Sequence, residues 1–183
     1  MMVNMPARGG SAFGGKILIT SDHAGFELKN TLFHFLKEKK FEVIDCGPDK
    51  LETEDDYPDF VAPVAEEISA DESGKTLGII IGGSGQGEAM CANRFPRVRA
   101  AVFYGDKRLN LESEKRFSLL SLSREHNNAN ILSIGARFVS EEEAKKAVLL
   151  WLETPFSGET RHLRRIEKID KLAPNRFGLE NGQ

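Results

Sequence analysis

A chain of 183 residues supports one sizeable core and is short for two domains. Its 40% apolar and 29% charged residues are ordinary for a soluble globular protein, and a formal net charge of −3 argues for neither a nucleic-acid nor an anionic-membrane partner. No apolar run approaches the ~20 residues that span a bilayer, and Cys46 and Cys91 lack the paired spacing of a metal or redox motif, so a reduced, cytoplasmic protein is the simplest reading.

Residues 1–15 lack a long apolar segment and read as a flexible tail or an expression remnant, not a signal peptide. Residues 16–20 form a short β-branched run, the first strand, with Ser21-Asp22-His23-Ala24-Gly25 as its loop. Leu28, Leu32, Phe35 and Leu36 then recur at helical spacing over 26–39, with lysines on the opposite face. A second strand at 41–45 closes at Gly47-Pro48, and an acidic loop covers 51–57. Pro58 opens a helix that runs to about residue 70. Residues 77–81 are wholly apolar, as a central parallel strand should be, and a further helix begins at Glu88. Strand four is expected at 100–104, and one or two broken helices over 106–125. Strand five is expected at 130–134. Ser140 and Glu143 have the spacing of a capping box for a helix reaching about 153. A break at 154–158 precedes a last helix at 160–172, and the tail after 174 is polar. Strand and helix alternate five times. The expected fold is therefore α/β: a three-layer α/β/α sandwich on a five-stranded parallel sheet, Rossmann-like, in a single domain over 16–173.

The chemistry concentrates where strand three ends. Its apolar run stops at Gly82-Gly83-Ser84-Gly85-Gln86-Gly87, and Glu88 follows directly. Four glycines in six residues allow positive φ and let a ligand approach the main chain. The N–H groups of such a loop, with a helix behind them, suit a phosphate or a developing oxyanion. Three familiar motifs fail here on named residues. A Walker loop needs Lys after its last glycine, where Glu88 stands. A dinucleotide fingerprint needs a small residue at that same position and belongs after the first strand. A nucleophile elbow on Ser84 needs glycine in place of Gln86.

Ligands of open parallel sheets lie beyond the carboxyl ends of the strands. The loops at that edge carry Asp22 and His23, residues 82–88, and Arg137. Singly, Asp22 reads equally well as a helix cap, His23 as a surface histidine and Arg137 as a salt-bridge partner. Their convergence on one edge is what points to a site. Glu125-His126-Asn127-Asn128 precedes strand five, and spacing leaves open which edge it occupies. Arg161 and Arg165, at i and i+4, form a forked pair suited to a phosphate, although a solvated basic face is the commoner origin of such a run.

Further segments complete a set: Leu28-Lys29, Asp56-Tyr57-Pro58, Ala92-Asn93, Ser123-Arg124-Glu125-His126-Asn127, Gly135-Ala136-Arg137, and Arg161-His162 with Arg164-Arg165-Ile166. Together with Ser21–Gly25 and the glycine loop, over about residues 16–170, the chain resembles the ribose-5-phosphate isomerase B family, which includes galactose-6-phosphate and allose-6-phosphate isomerases. The resemblance implies aldose–ketose isomerisation through an enediolate, with no metal and no cofactor. Ribose 5-phosphate and ribulose 5-phosphate are the expected pair, and a hexose 6-phosphate (allose or galactose 6-phosphate) is the alternative. A non-catalytic sugar-phosphate-binding protein is the alternative of another class, against which Glu88 and His126 both argue. Some family members use a cysteine at the end of strand three as the base. Gly82 excludes that form here and leaves Glu88 as the base, with Cys91 a packed thiol.

In the implied scheme Glu88 moves the proton between C1 and C2. Ser84 and the backbone of Gly83, Ser84, Gly85, Gln86 and Gly87 hold the enediolate oxygen. His126 opens the furanose ring, Asp22 accepts from a sugar hydroxyl and Asn127 fixes another. Arg137, Arg161 and Arg165, helped by His23, bind the phosphate. The resemblance also implies a homodimer or homotetramer whose sites are shared between chains. One departure bears on substrate identity: the segment between Tyr104 and Ser123 is longer than the family's by several residues.

Overall fold

The computed structural model describes residues 13–105 and 118–172. In chain order the strands are β1 (Lys16–Ser21), β2 (Glu42–Asp45), β3 (Thr76–Gly82), β4 (Ala100–Phe103) and β5 (Ile131–Gly135). The helices are α1 (Phe26–Glu38), α2 (Pro58–Ala70), α3 (Gln86–Ala92), α4 (Leu119–Asn127), α5 (Glu141–Glu153) and α6 (Thr160–Asp170). Every strand pairing is parallel, and the sheet order is β2-β1-β3-β5-β4. All seven residues of β3 are buried, as its unbroken apolar run requires.

Strand side chains alternate between two faces, and this divides the core. Ile17, Ile19, Ile79, Ile81, Leu132 and Ile134 meet Leu32 and Leu36 of α1 and Val148 and Trp151 of α5. Leu18, Ile80 and Ile131 point the other way, onto Val61, Val64 and Ile68 of α2 and Ala92 of α3. Each such aliphatic side chain contributes about 1.5–3 kcal/mol on burial. The result is the expected three-layer α/β/α sandwich. Lys29 lies buried between layers, its ammonium paired with Asp45 at the end of β2 and 5.5 Å from the Phe26 ring centroid.

Local signals set most boundaries. Pro58 stands in the first turn of α2, and both bonds of the Ser140–Glu143 capping box start α5. β1 and β3 run slightly longer than expected, and β4 and α6 end slightly earlier. α3 starts at Gln86, two residues ahead of expectation, because Gly85 takes a left-handed φ of 74° and turns the chain directly into the helix. Of the broken helices expected over 106–125, the described part is the single helix α4, and residues 106–117 lie outside the described residues. The same holds for residues 1–12 of the expected N-terminal tail and for residues 173–183 at the other end.

The chain passes from β1 to β2 on one side of the sheet, and β3, β5 and β4 fill the other. Strand order thus reverses between β1 and β3, which opens a crevice at their carboxyl ends.

Candidate active site

β1 delivers Asp22 and His23 to the crevice. Asp22 is 6% exposed, and its N–H bonds to Ile81 O at 3.3 Å, which ties it to the end of β3. Its Oδ1 accepts the Gly25 N–H at 3.1 Å and so caps the short turn His23–Gly25. The cap reading is therefore correct, and the same carboxylate also lines a cavity. Asp55 receives both the His23 N–H, at 3.2 Å, and His23 Nδ1, at 2.5 Å, on one oxygen. That bond raises the imidazole pKa above its usual value, against burial and against the charge of Arg137.

The glycine loop is stitched to its neighbour. Ala136 N–H bonds to Gly82 O at 2.8 Å and Arg137 N–H to Gly83 O at 3.2 Å, which fixes the loop after β5 beside the loop after β3. Gly85 O accepts from the buried Ser133 hydroxyl at 2.7 Å. Ser84 is exposed, and its Oγ receives the Gln86 N–H at 3.3 Å. Gly87 packs against the Tyr57 ring.

Glu88, in the first turn of α3, is 4% exposed and folds back under the end of β3. A Cβ at Gly82 would overlap its carboxyl group outright, so the missing side chain at Gly82 is the space this carboxylate fills. Burial raises the Glu88 pKa, and the charge of Asp22 adds to the effect, with a bond from its own backbone N–H acting in the opposite direction. A carboxylate shifted this way is a better base than an exposed one, because its proton affinity lies nearer to neutrality.

Asp22, His23, Tyr57, Ser84, Glu88 and Arg137 line a cavity of about 320 Å3, with backbone from Gly83 and Gly87. Its polarity is divided. Arg137, whose guanidinium lies over Gly83, and His23 bring positive charge, whereas Glu88 and Asp22 bring carboxylates. Such a pocket fits a small molecule that carries both an anionic group and exchangeable protons.

The remaining residues expected at the site stand elsewhere in the chain. His126 and Asn127 end α4, which leads into the amino end of β5, the edge of the sheet opposite the cavity. The five residues of β5 put roughly 15 Å between the two edges. His126 stacks on His162 of α6, with ring centroids 4.3 Å apart and planes 12° from parallel. His162 is 2% exposed, and burial lowers its pKa, reinforced by His126 and Arg161. Arg124 anchors this end of α4: it donates to Thr154 O, Ala129 O and Asn128 Oδ1 and lies 5.3 Å from the Trp151 ring centroid. Arg161 and Arg165 are exposed on α6, Arg161 pairing with Glu159 at 2.8 Å. Within one chain the residues expected at the site thus fall into two groups, one in the cavity and one at the opposite edge of the sheet.

Among the described residues, Asp22, His23 and Asp55 have donor atoms within 4.8 Å of one another, the spacing of a metal cluster. His23 Nδ1 and Asp55 Oδ1 are only 2.5 Å apart, however. Two ligands at ~2.1 Å from a tetrahedral ion stand more than ~3 Å apart. His23 and Asp55 therefore form a hydrogen-bonded pair, with Asp22 beside it, rather than two ligands of one ion.

A family model described as ribose/galactose isomerase matches residues 17–169. The chain belongs to the ribose/galactose isomerase family. A probable ribose-5-phosphate isomerase B of Mycoplasma genitalium is 41% identical over 153 residues, 84% of this chain and 92% of the relative. The ribose-5-phosphate isomerase B of Mycobacterium tuberculosis is 38% identical over 154 residues, 84% of this chain and 87% of the relative. The crystal structure of the M. genitalium enzyme with bound ribulose-5-phosphate matches with a TM-score of 0.77 at 39% identity, covering 87% of this chain and 97% of that one. A solved structure of the Clostridium thermocellum ribose-5-phosphate isomerase B matches with a TM-score of 0.73 at 40% identity, covering 86% of this chain and 96% of that one.

In this ribose/galactose isomerase family member, the overlap at Gly82 is a steric constraint on the end of β3. A side chain at Gly82 and the Glu88 carboxylate compete for one volume, so the chain holds one or the other. Cys91 packs against the α2 side of the core, and burial raises its thiol pKa. Sequence reasoning gave no role to Tyr57, Phe138 or Asp55. Tyr57 had a usable signal, since the residue before a helix-opening proline sits at a helix start. Asp55 had none, because nothing local marks one acid in an acidic loop as buried.

Proposed function

We propose that this chain interconverts ribose 5-phosphate and ribulose 5-phosphate without a metal, with Glu88 as the base. The observation that carries the reading is the buried Glu88 carboxylate beside Asp22, in a cavity whose other charges are cationic. Glu88 takes the C2 proton of the open-chain aldose. Electrons shift into a C1–C2 double bond and onto the carbonyl oxygen, and returning the proton to C1 gives the ketose. The hydroxyl proton passes from O2 to O1, with Asp22 as its acceptor. Ser84 and the N–H groups of residues 83–87 steady the enediolate oxygen. Arg137 and His23 hold the phosphate.

Ring opening needs an acid, and the phosphate needs more charge than one exposed arginine and one histidine. In this reading a second copy of the chain supplies both. Its His126 protonates the ring oxygen, Asn127 fixes a hydroxyl, and Arg161 and Arg165 close on the phosphate. A homodimer, alone or doubled into a tetramer, would bring the two half-sites together. Two unpaired cysteines support a reducing, cytoplasmic setting.

The test is isomerisation of ribose 5-phosphate in excess EDTA, beside allose 6-phosphate and galactose 6-phosphate. Turnover of the pentose is expected. Turnover of a hexose phosphate alone would keep the chemistry and overturn the substrate, and turnover of none would overturn the enzyme reading.

A further inference from the structure

Asp55 belongs to no motif, yet its placement differs from that of its neighbours. Glu52, Glu54 and Asp56 in the same acidic loop are exposed, whereas the Asp55 side chain is only 7% exposed. Its Oδ1 takes both the backbone N–H and Nδ1 of His23, and its Oδ2 is buried with no hydrogen-bond partner among the described residues. A buried carboxylate is costly unless a cation meets it, and the cation in contact here is His23. The charges facing that imidazole are Asp22 from its own turn, Asp55 from the acidic loop and Arg137 from the loop after β5. Glu88 of α3 lines the same cavity. Asp22 and Asp55 favour the imidazolium, and Arg137 opposes it. Without Asp55, His23 would face the guanidinium with one carboxylate fewer. With Nδ1 committed to Asp55, Nε2–H is the ring's remaining donor, and His23 lines the cavity.

We propose that Asp55 is a positioning residue for phosphate binding: it fixes the His23 ring through Nδ1 and keeps it cationic, so that Nε2–H makes a charge-assisted bond to the substrate phosphate. The role is indirect, because Asp55 touches His23 and His23 touches the phosphate. This rests on the isomerase reading for what the imidazole binds. It adds a specificity determinant outside the glycine loop and the arginines.

The experiment is an NMR titration of the His23 ring in the wild-type protein and in Asp55→Asn, with kcat and KM for ribose 5-phosphate measured from pH 5.5 to 8.5. Asparagine keeps the size and an acceptor but not the charge. In the wild type, His23 should titrate above the ~6.5 of a free histidine. In Asp55→Asn its titration should fall. KM near pH 7.5 should rise about tenfold, the scale of losing one charge-assisted bond, with kcat within about twofold. The gap should narrow toward pH 5.5, where the ring is protonated without help. In a His23→Asn background the same Asp55 change should add little to KM, whereas a role confined to holding the loop would persist there. A wild-type His23 that titrates at or below ~6.5, or a KM that stays unchanged when the titration falls, overturns the proposal. If Asp55→Asn does not fold, the wild-type titration decides alone. If the wild type turns over no sugar phosphate, the isomerase reading fails separately, and a shift of the His23 ring signals on adding inorganic phosphate decides this one.

Discussion

Under the proposed mechanism, Glu88 is the residue at which function works against stability. An acid whose pKa is higher in the folded than in the unfolded chain binds more protons when folded, so its contribution to stability falls as pH rises through the interval between the two values. Below the ordinary carboxylate range both states are protonated and the penalty vanishes. Glu88→Gln should therefore be at least as stable as the wild type at pH 7, with its advantage shrinking toward pH 4, as read by urea unfolding. The same variant should lose about 10²–10⁴-fold in kcat with KM little changed, because the base is removed and the shape kept. A less stable Glu88→Gln at pH 7 would contradict the account of its burial, and near-normal turnover would contradict its role. In the wild type, kcat/KM should fall as pH drops through the Glu88 pKa.

At the scale of elements, the fold was legible because each local signal agreed with the global one. Ser140 and Glu143 marked the start of α5, and the structure completes both reciprocal bonds. Ser140→Ala should lower unfolding stability by about 1 kcal/mol and leave kcat/KM unchanged, since α5 packs behind the sheet and bears no cavity residue. The cavity at the carboxyl edge was legible for the same reason. A strand's end fixes where the next residues go, so Asp22, His23, the glycine loop and Arg137 had to converge once the sheet was parallel. Asp55 and Phe138 were not legible, because their burial or exposure is decided by contacts distant in sequence. The start of α3 was missed by two residues because the left-handed turn at Gly85 could not be distinguished from those available to its neighbouring glycines.

At the scale of the whole molecule, the reversal of strand order between β1 and β3 sets the cavity, and α4 and α6 carry the other residues of the proposed site to the opposite edge. The sequence left that edge undecided for His126, since a helix leading into a strand can be read at either end until the packing is known. The edge it takes makes a single chain an incomplete catalyst under the proposed mechanism. The most direct measurement of that claim uses two impaired chains, Glu88→Gln and the double variant Arg161→Ala, Arg165→Ala, co-expressed with different tags and assayed with ribose 5-phosphate. In a two-fold assembly each mixed dimer holds one intact site, so a statistical mixture should recover about a quarter of wild-type activity, and the purified mixed dimer about half. A mixed dimer no more active than its parents would contradict a site built from Glu88 of one chain and the arginines of another.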